Sequence, residues 1–443
     1  IGVASAYYLA TQHNLTNILL VDKHPPLSQT SAKSGENYRN WWPNPIMVDF
    51  INRSIDMMEG LAQESNNLFN LTRRGYAYVT ADPVALNSLE TTLNHYQSLP
   101  LGTIRYHKSQ ASLVDYAPIT DTFTHQPDGA DALLDSSLIQ QTFPHFDKQI
   151  QAIIHARRCG ALSAQQLGIY LLEQAKKQGL QMLRGTVSAI DRDEQGVKAV
   201  TIETDQGPQR VETRAFINAA GPFASQIAKM VEIELPVYSV FQQKIAVQDP
   251  LGIVPRHMPF TIFMDTQYLD WSDEERDFWQ TEAGYQWLLE RFPGGLHIKP
   301  EGTGDSTWLK LGWAFNQSKE IPQWERQANP EFPDIVMRGA SKLIPGLKAY
   351  INNLPQPVVQ YGGYYTKTRE NLPLIGPTNI SGMFLATAFS GFGTMASCGA
   401  GELIAAWVAG TTLPPYAKQL SLSRYDDPAF IKTVADIEAQ GEL

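Results

Sequence analysis

A glycine running straight into an alanine-rich helix, followed closely by a buried strand that ends in an acid, is compatible with few folds. Residues 2–10 read GVASAYYLA and residues 17–22 read NILLVD. A helix over the first stretch turns Val3, Ala6, Tyr7 and Ala10 inward, the spacing of one packed face. NILLVD then supplies a parallel strand with Asp22 at its carboxyl end. In a dinucleotide site the last glycine of GxGxxG permits close helix–strand packing, and an acid about 20 residues later accepts the ribose hydroxyls. Gly2 and Asp22 have that spacing. An alanine-rich helix before a strand occurs in many folds, so this pair alone leaves a plain packing role equally open. On the dinucleotide reading the first strand and the two phosphate-cradling glycines precede residue 1, and the chain is expected to be a fragment.

A chain of 443 residues with 43% hydrophobic content can bury a large core and is long enough for two or three domains. Its net charge of −10, with no basic run, argues against nucleic acid or an anionic membrane as the main partner and favours small molecules. The two cysteines, Cys159 and Cys398, are far apart and in no CxxC spacing, so both are expected to be core thiols in a reducing cytoplasm. No long apolar run or signal-peptide pattern occurs, and a cytoplasmic location with no membrane span is expected. Because the first residue is Ile rather than Met, the lack of a leader says little.

Strand-like and helix-like stretches alternate at both ends, whereas the middle is dense in β-branched and aromatic residues with proline-rich breaks. The pattern predicts a two-domain α/β fold. A discontinuous first unit takes residues 1–75, 150–235 and 360–443, and an inserted, mainly antiparallel β unit takes 76–149 and 236–359. Within 160–192 a helix with Leu167, Tyr170 and Leu171 on its apolar face closes at Gly179, before a short strand. Residues 197–204 and 209–219 read as a hairpin-like pair ending in FINAAGP.

The segments YGGYYTKTRENLPLIGP (361–377) and GMFLATAFSGFGTMASCGAGELIAAWVAG (382–410) resemble the flavin-contacting C-terminal region of the D-amino-acid oxidase superfamily of FAD enzymes. The similarity is greatest to the monomeric sarcosine oxidase-like branch. SAKSGENYR (31–39), FINAAGP (216–222) and STWLKLGW (306–313) agree with it in the right order; residues 60–150 and 265–300 match thinly. The resemblance implies a Rossmann-like FAD domain of the glutathione-reductase/hydroxylase type with an inserted β domain that holds the substrate.

It also implies roles for individual residues. Gly2, Asp22, Lys23, Ser31, Ser34, Gly35, Val187, Ala220 and Gly221 fall at cofactor-contacting positions, as do Gly391, Phe392, Gly393, Thr394 and Met395 of SGFGTMAS. Glycine at 391 and 393 lets backbone approach the flavin ring, and the helix opening near Ala396 can stabilise negative charge there. FINAAGP reads equally as a tight strand-to-helix turn, and Val187 as a core valine. Lys310 alternates with Trp308 and Gly312 on one strand face. Related oxidases carry a lysine there that activates oxygen, because a fixed cation stabilises the superoxide anion; a solvated strand lysine is the plain alternative. Arg39 stands as a flavin-side or substrate cation and Tyr365 as a polar aromatic near the ring.

Several positions depart from the branch. Gly363 replaces the cysteine that would attach FAD, so non-covalent FAD is expected. The carboxylate clamp positions hold Trp42 and Met395, and Ala314 replaces a histidine, which with Tyr38 suggests an aromatic, apolar substrate pocket; Trp41 and Trp42 could equally be core. The implied activity is FAD-dependent oxidation of a C–N bond in an amine or amino-acid-like substrate, with O2 as acceptor giving H2O2. A dehydrogenase using another electron acceptor and a non-catalytic flavoprotein are the alternatives. No metal is implied, and the oligomeric state is left open.

Overall fold

The structure is a computed structural model that describes residues 1–109, 112 and 115–435. Two small sheets and three helices build the first layer. Leu19–Asp22 pairs in parallel with Gln181–Arg184, and Phe216–Asn218 pairs in parallel with Met383–Thr387, which also takes Leu374–Pro377 antiparallel. The helices Gly2–His13, Pro45–Glu64 and Gly393–Ala409 pack on one another. They approach closely because small residues meet: a Cβ on Gly401 would lie 2.7 Å from the Ala4 carbonyl carbon, and one on Gly399 would lie 3.1 Å from the Phe50 ring. The first helix is covered on most sides, with Val3, Ala4, Ala6, Tyr8, Leu9 and Ala10 buried. Tyr7, expected inward, is half-buried instead.

The predicted helix of 160–179 forms as Ala164–Lys177, with the Ser163 side chain accepting from the Gln166 amide. The hairpin differs from expectation. Its strands are Gly196–Thr204 and Gly207–Glu212, and Phe216–Asn218 leaves for the other sheet. The Thr213 hydroxyl donates to the Ala215 carbonyl at 2.8 Å, a local bond that replaces further ladder pairing.

The second layer is a ten-stranded, mainly antiparallel sheet. At its centre run Tyr238–Gln248, Trp308–Gly312, Leu296–Pro300, Phe260–Phe263 and Tyr76–Thr80. Ala152–Ala156 and Val359–Lys367, which lie at the ends of sequence segments drawn for the first unit, hydrogen-bond into this sheet through Tyr76–Thr80 and Tyr238–Gln248.

Strand alternation gives the sheet two chemically different faces. Ala77, Val79, Ile245, Val247, Ile298, Leu309 and Leu311 face Ile335, Val336, Met337 and Ala340 of the helix Phe332–Leu343 in one apolar cluster. On the opposite face cross-strand pairing aligns Lys310 with Lys299, Gly312 with both His297 and Lys244, and Lys244 with Tyr361.

At the far edge, Asp131 is fully buried among Arg105, Arg157 and His107. Burial alone would raise its pKa, but these donors hold it at about 2. A carboxylate depressed in this way contributes stability that is present above its unfolded pKa near ~4 and is lost as pH falls toward 2. Asp131→Asn, which leaves two arginines without their counter-charge, should lower the unfolding free energy by about 3–5 kcal/mol at pH 7 and much less near pH 2. Urea melts across pH check this; a loss under about 1 kcal/mol at pH 7 would count against the assignment.

A candidate cofactor cleft

The cationic face of the large sheet looks across a cleft of about 2160 Å³ toward the first layer. Gly2, Asp22, Lys23, Ser31, Ser34, Gly35, Val187, Ala220, Gly221, Tyr365, Gly391, Gly393 and Thr394 all line it. The remaining sequence candidates, Lys310, Arg39, Tyr38, Trp42, Phe392 and Met395, are buried and are not among the residues that line it.

Backbone constraints shape the cleft. Ala388 and Ser390 take left-handed conformations, with φ of 62° and 43°, which residues other than glycine seldom adopt. The Ser390 amide donates to the Thr366 carbonyl at 2.9 Å, pinning the turn to the strand that carries Tyr365. A Cβ on Gly391 would lie 2.7 Å from the Tyr365 ring, so glycine is required here by protein packing as well. The next helix starts at Gly393, earlier than expected near Ala396, and among the described residues no side chain caps its first amides. Those amides open on the cleft, where the helix dipole favours negative charge. Ser34 and Thr394 share a 2.8 Å hydroxyl bond that ties the two loops together.

Trp324, which sequence reasoning missed, forms another part of the wall. It stacks on Phe223 at 4.1 Å and lies 4.9 Å from the Lys23 ammonium, close to Asp22. The Asp22 carboxyl is pushed up by burial and accepts the His24 amide at 2.9 Å.

Lys310 is 8% exposed and stands 3.0 Å from Glu301 and 3.4 Å from Glu36. Burial, the largest single effect, pulls its pKa down, but Glu301, Tyr361 and Glu36 together outweigh it and the net shift is upward. Glu36 also has a left-handed backbone, φ 58°. Its other oxygen accepts the Ala164 amide at 3.1 Å, so one carboxylate caps a helix and holds the lysine. Lys299 shares Glu301 at 3.2 Å and is pushed down to about 8, by burial first and then by Lys310. Lys244, two strands from Lys299, lines the cleft and donates to the Tyr365 hydroxyl at 3.0 Å. Sequence reasoning missed Glu36, Glu301, Lys299 and Lys244. Lys244 and Lys299 each sit within a strand as Lys310 does, but strand placement alone does not tell which lysine has a carboxylate partner.

Arg39 lies 4.5 Å over the Trp42 ring and donates to Tyr78 at 3.2 Å. Trp42 in turn meets Phe392 edge-on at 5.2 Å. Tyr38, expected in the pocket wall, sits in the core, where its hydroxyl donates to the Thr72 carbonyl at 2.9 Å. Both cysteines are buried, and burial pushes Cys159 up to about 12 and Cys398 to about 11.

The family described as DAO: FAD dependent oxidoreductase matches residues 1–407. The chain belongs to this family. It is 22% identical over 260 residues to the D-amino acid dehydrogenase of Vibrio atlanticus, covering 59% of this chain and 52% of that protein. It is 20% identical over 433 residues to the mitochondrial dimethylglycine dehydrogenase of Homo sapiens, covering 96% of this chain and 43% of that protein. The chain thus spans about half the length or less of these two relatives. Glycine oxidase from Geobacillus kaustophilus superposes with a TM-score of 0.70 at 16% identity, over 96% of each chain, which establishes a shared fold.

The cleft of this FAD oxidoreductase fits its cofactor on independent grounds. Among the described residues the buried Ser390 hydroxyl has no partner, Gly221 turns left-handed with open space where a Cβ would stand, and the helix at Gly393 has no side-chain cap. Gly393, Thr394 and Ser390 would meet one part of the group, and Gly2, Asp22 and Gly221 another.

A lysine whose folded pKa lies below its unfolded value near ~10.4 sheds its proton in the folded state first. Stability therefore rises with pH once Lys299 titrates near 8 and until the unfolded lysine follows. Lys299→Met should flatten the rise, of order 1 kcal/mol, between about pH 8 and 9.5. Identical slopes for wild type and variant in chemical denaturation would contradict the assignment.

Proposed function

We propose that the protein oxidises a C–N bond of an amine or amino-acid-like small molecule to the imine, with non-covalent FAD, and that O2 takes the two electrons and two protons as H2O2. Bound FAD supplies the electron-accepting chemistry. The protein orients the substrate, keeps water from the reacting bond and stabilises charge.

The observation that carries this reading is the meeting of the Ser390–Thr394 turn with the sheet face bearing Tyr365 and Lys244 at one cleft. Uncapped amides on one side and buried cations on the other favour an electron-rich ring between them. Tyr365 has its hydroxyl fixed by Lys244, which makes it a polar contact of defined direction. Non-covalent attachment is supported by Gly363, which has no side chain to react, and by two buried cysteines whose thiols are held neutral.

A second reading, a dehydrogenase that passes electrons to another carrier, is favoured by one specific fact. Lys310, the candidate for oxygen activation, is already neutralised by Glu301 and Glu36.

An amine and amino-acid panel assayed both for peroxide and for reduction of an artificial acceptor separates the readings. Oxidase activity predicts peroxide equal to the oxygen consumed, and Lys310→Met should slow aerobic reoxidation at least tenfold while anaerobic reduction by substrate changes little. Acceptor reduction without peroxide would support the dehydrogenase, and no turnover by either assay in FAD-replete protein would overturn C–N oxidation. Acid precipitation should release all flavin to the supernatant; flavin in the pellet would contradict non-covalent binding.

A further inference from the structure

Among the lysines on the sheet's cleft side, Lys299 and Lys310 are balanced by Glu301 and Glu36. Lys244 is not. It is 6% exposed, and among the described residues no carboxylate stands within ion-pairing distance of its ammonium. Its described hydrogen bond is the one to the Tyr365 hydroxyl at 3.0 Å, which leaves donors unused. A buried ammonium without a counter-ion is strongly unfavourable, so a protein that keeps one has a use for it.

The surroundings preserve this placement. Gly312 and Gly35 flank the lysine stem: a Cβ at Gly312 would come within 3.0 Å of Lys244 Cγ, and one at Gly35 within 3.8 Å of its Cε. The stem runs between two glycines and the ammonium reaches the cleft lining beside Tyr365. His297, on the other side of Gly312, is held neutral by burial and by Lys244 itself, so it adds no second cation. The Tyr365 hydroxyl accepts from Lys244 and keeps its own proton to donate. An ammonium and a phenol side by side suit the two oxygens of one carboxylate.

We propose that Lys244 and Tyr365 form the anchor for a carboxylate on the molecule oxidised, so that the substrate is a carboxylate-bearing amine held from the sheet side of the cleft. The inference rests on the cofactor reading of that cleft. It also accounts for the apolar residues at the positions where the sequence resemblance placed a clamp. Trp42 is seated between Arg39 and Phe392, and Met395 is buried, so neither position can receive an anion. The cation has moved to another strand.

Propionate and its neutral analogue propionamide probe the anchor in FAD-loaded protein, by calorimetric titration and by ligand-induced change in melting temperature. Propionate should bind and raise the melting temperature, with propionamide at least tenfold weaker. Lys244→Met should weaken propionate binding about 10- to 100-fold and leave propionamide within threefold. The same variant should melt higher than wild type in carboxylate-free buffer, because a neutral stem replaces an unbalanced charge. Lys244→Arg should keep propionate binding within tenfold. Propionate binding unchanged in Lys244→Met, or equal weakening of both probes together with a lower melting temperature, would overturn the proposal in favour of a structural lysine. Retained FAD with no propionate binding in wild type would sink this inference alone. A wild type that folds but holds no FAD, while still binding propionate through Lys244, would sink the cofactor reading and leave the anion anchor standing.

Discussion

Lysines gathered on one face of a sheet, Lys244, Lys299 and Lys310 among them, cannot be buried against hydrocarbon, and much of the architecture follows from that. Burying each ammonium without compensation is unfavourable by several kcal/mol. The apolar helix Phe332–Leu343 therefore packs on the other face, where Ile245, Val247, Ile298, Leu309 and Leu311 point. The cationic face turns toward the first layer, which supplies Glu36, the loop bearing Ser34 and Gly35, and an open cleft. Glu301, one residue beyond the central strand Leu296–Pro300, takes two of the lysines at once.

The same electrostatics joins the two layers. Glu36 binds Lys310 on the large sheet and the Ala164 amide at the start of a first-layer helix, while Ser34 bonds Thr394 at the start of another. These contacts set two charge environments facing each other: uncapped helix amides near Gly393 and buried ammonium groups behind Tyr361 and Tyr365. Between them an anion or an electron-rich ring is favoured from both sides. The strained turn at Ala388 and Ser390 is tolerated because the Thr366 carbonyl and the Tyr365 ring hold it.

Much of this was legible in the sequence. The period of Leu167, Tyr170 and Leu171 located a helix, alternation in WLKLG located a strand, and the family resemblance ran through 361–410 in a form that the family match across 1–407 bears out. What failed had physical causes. Thr213 ends the hairpin by bonding Ala215 locally, so Phe216–Asn218 joins a different sheet through a partner more than 160 residues away. Period alone cannot foresee such a partner. Glu36 lay inside a matched motif, yet its function depends on a left-handed backbone and on helix 164–177, neither visible in SGENYR. Lys244 was hidden because a single lysine in FQQKIAVQ gains meaning only from the absence of a nearby carboxylate, which is a property of three dimensions.

The central claim is that the cation-bearing face of the large sheet and the Ser390–Thr394 turn enclose one redox site. A crystal structure of the FAD-loaded protein tests it most directly. The account predicts the flavin ring between Gly391–Thr394 and Tyr365, with the Lys244 ammonium on the same cleft side and free to meet a ligand. A flavin ring placed away from this sheet face, or a Lys244 ammonium paired with a protein carboxylate, would contradict it.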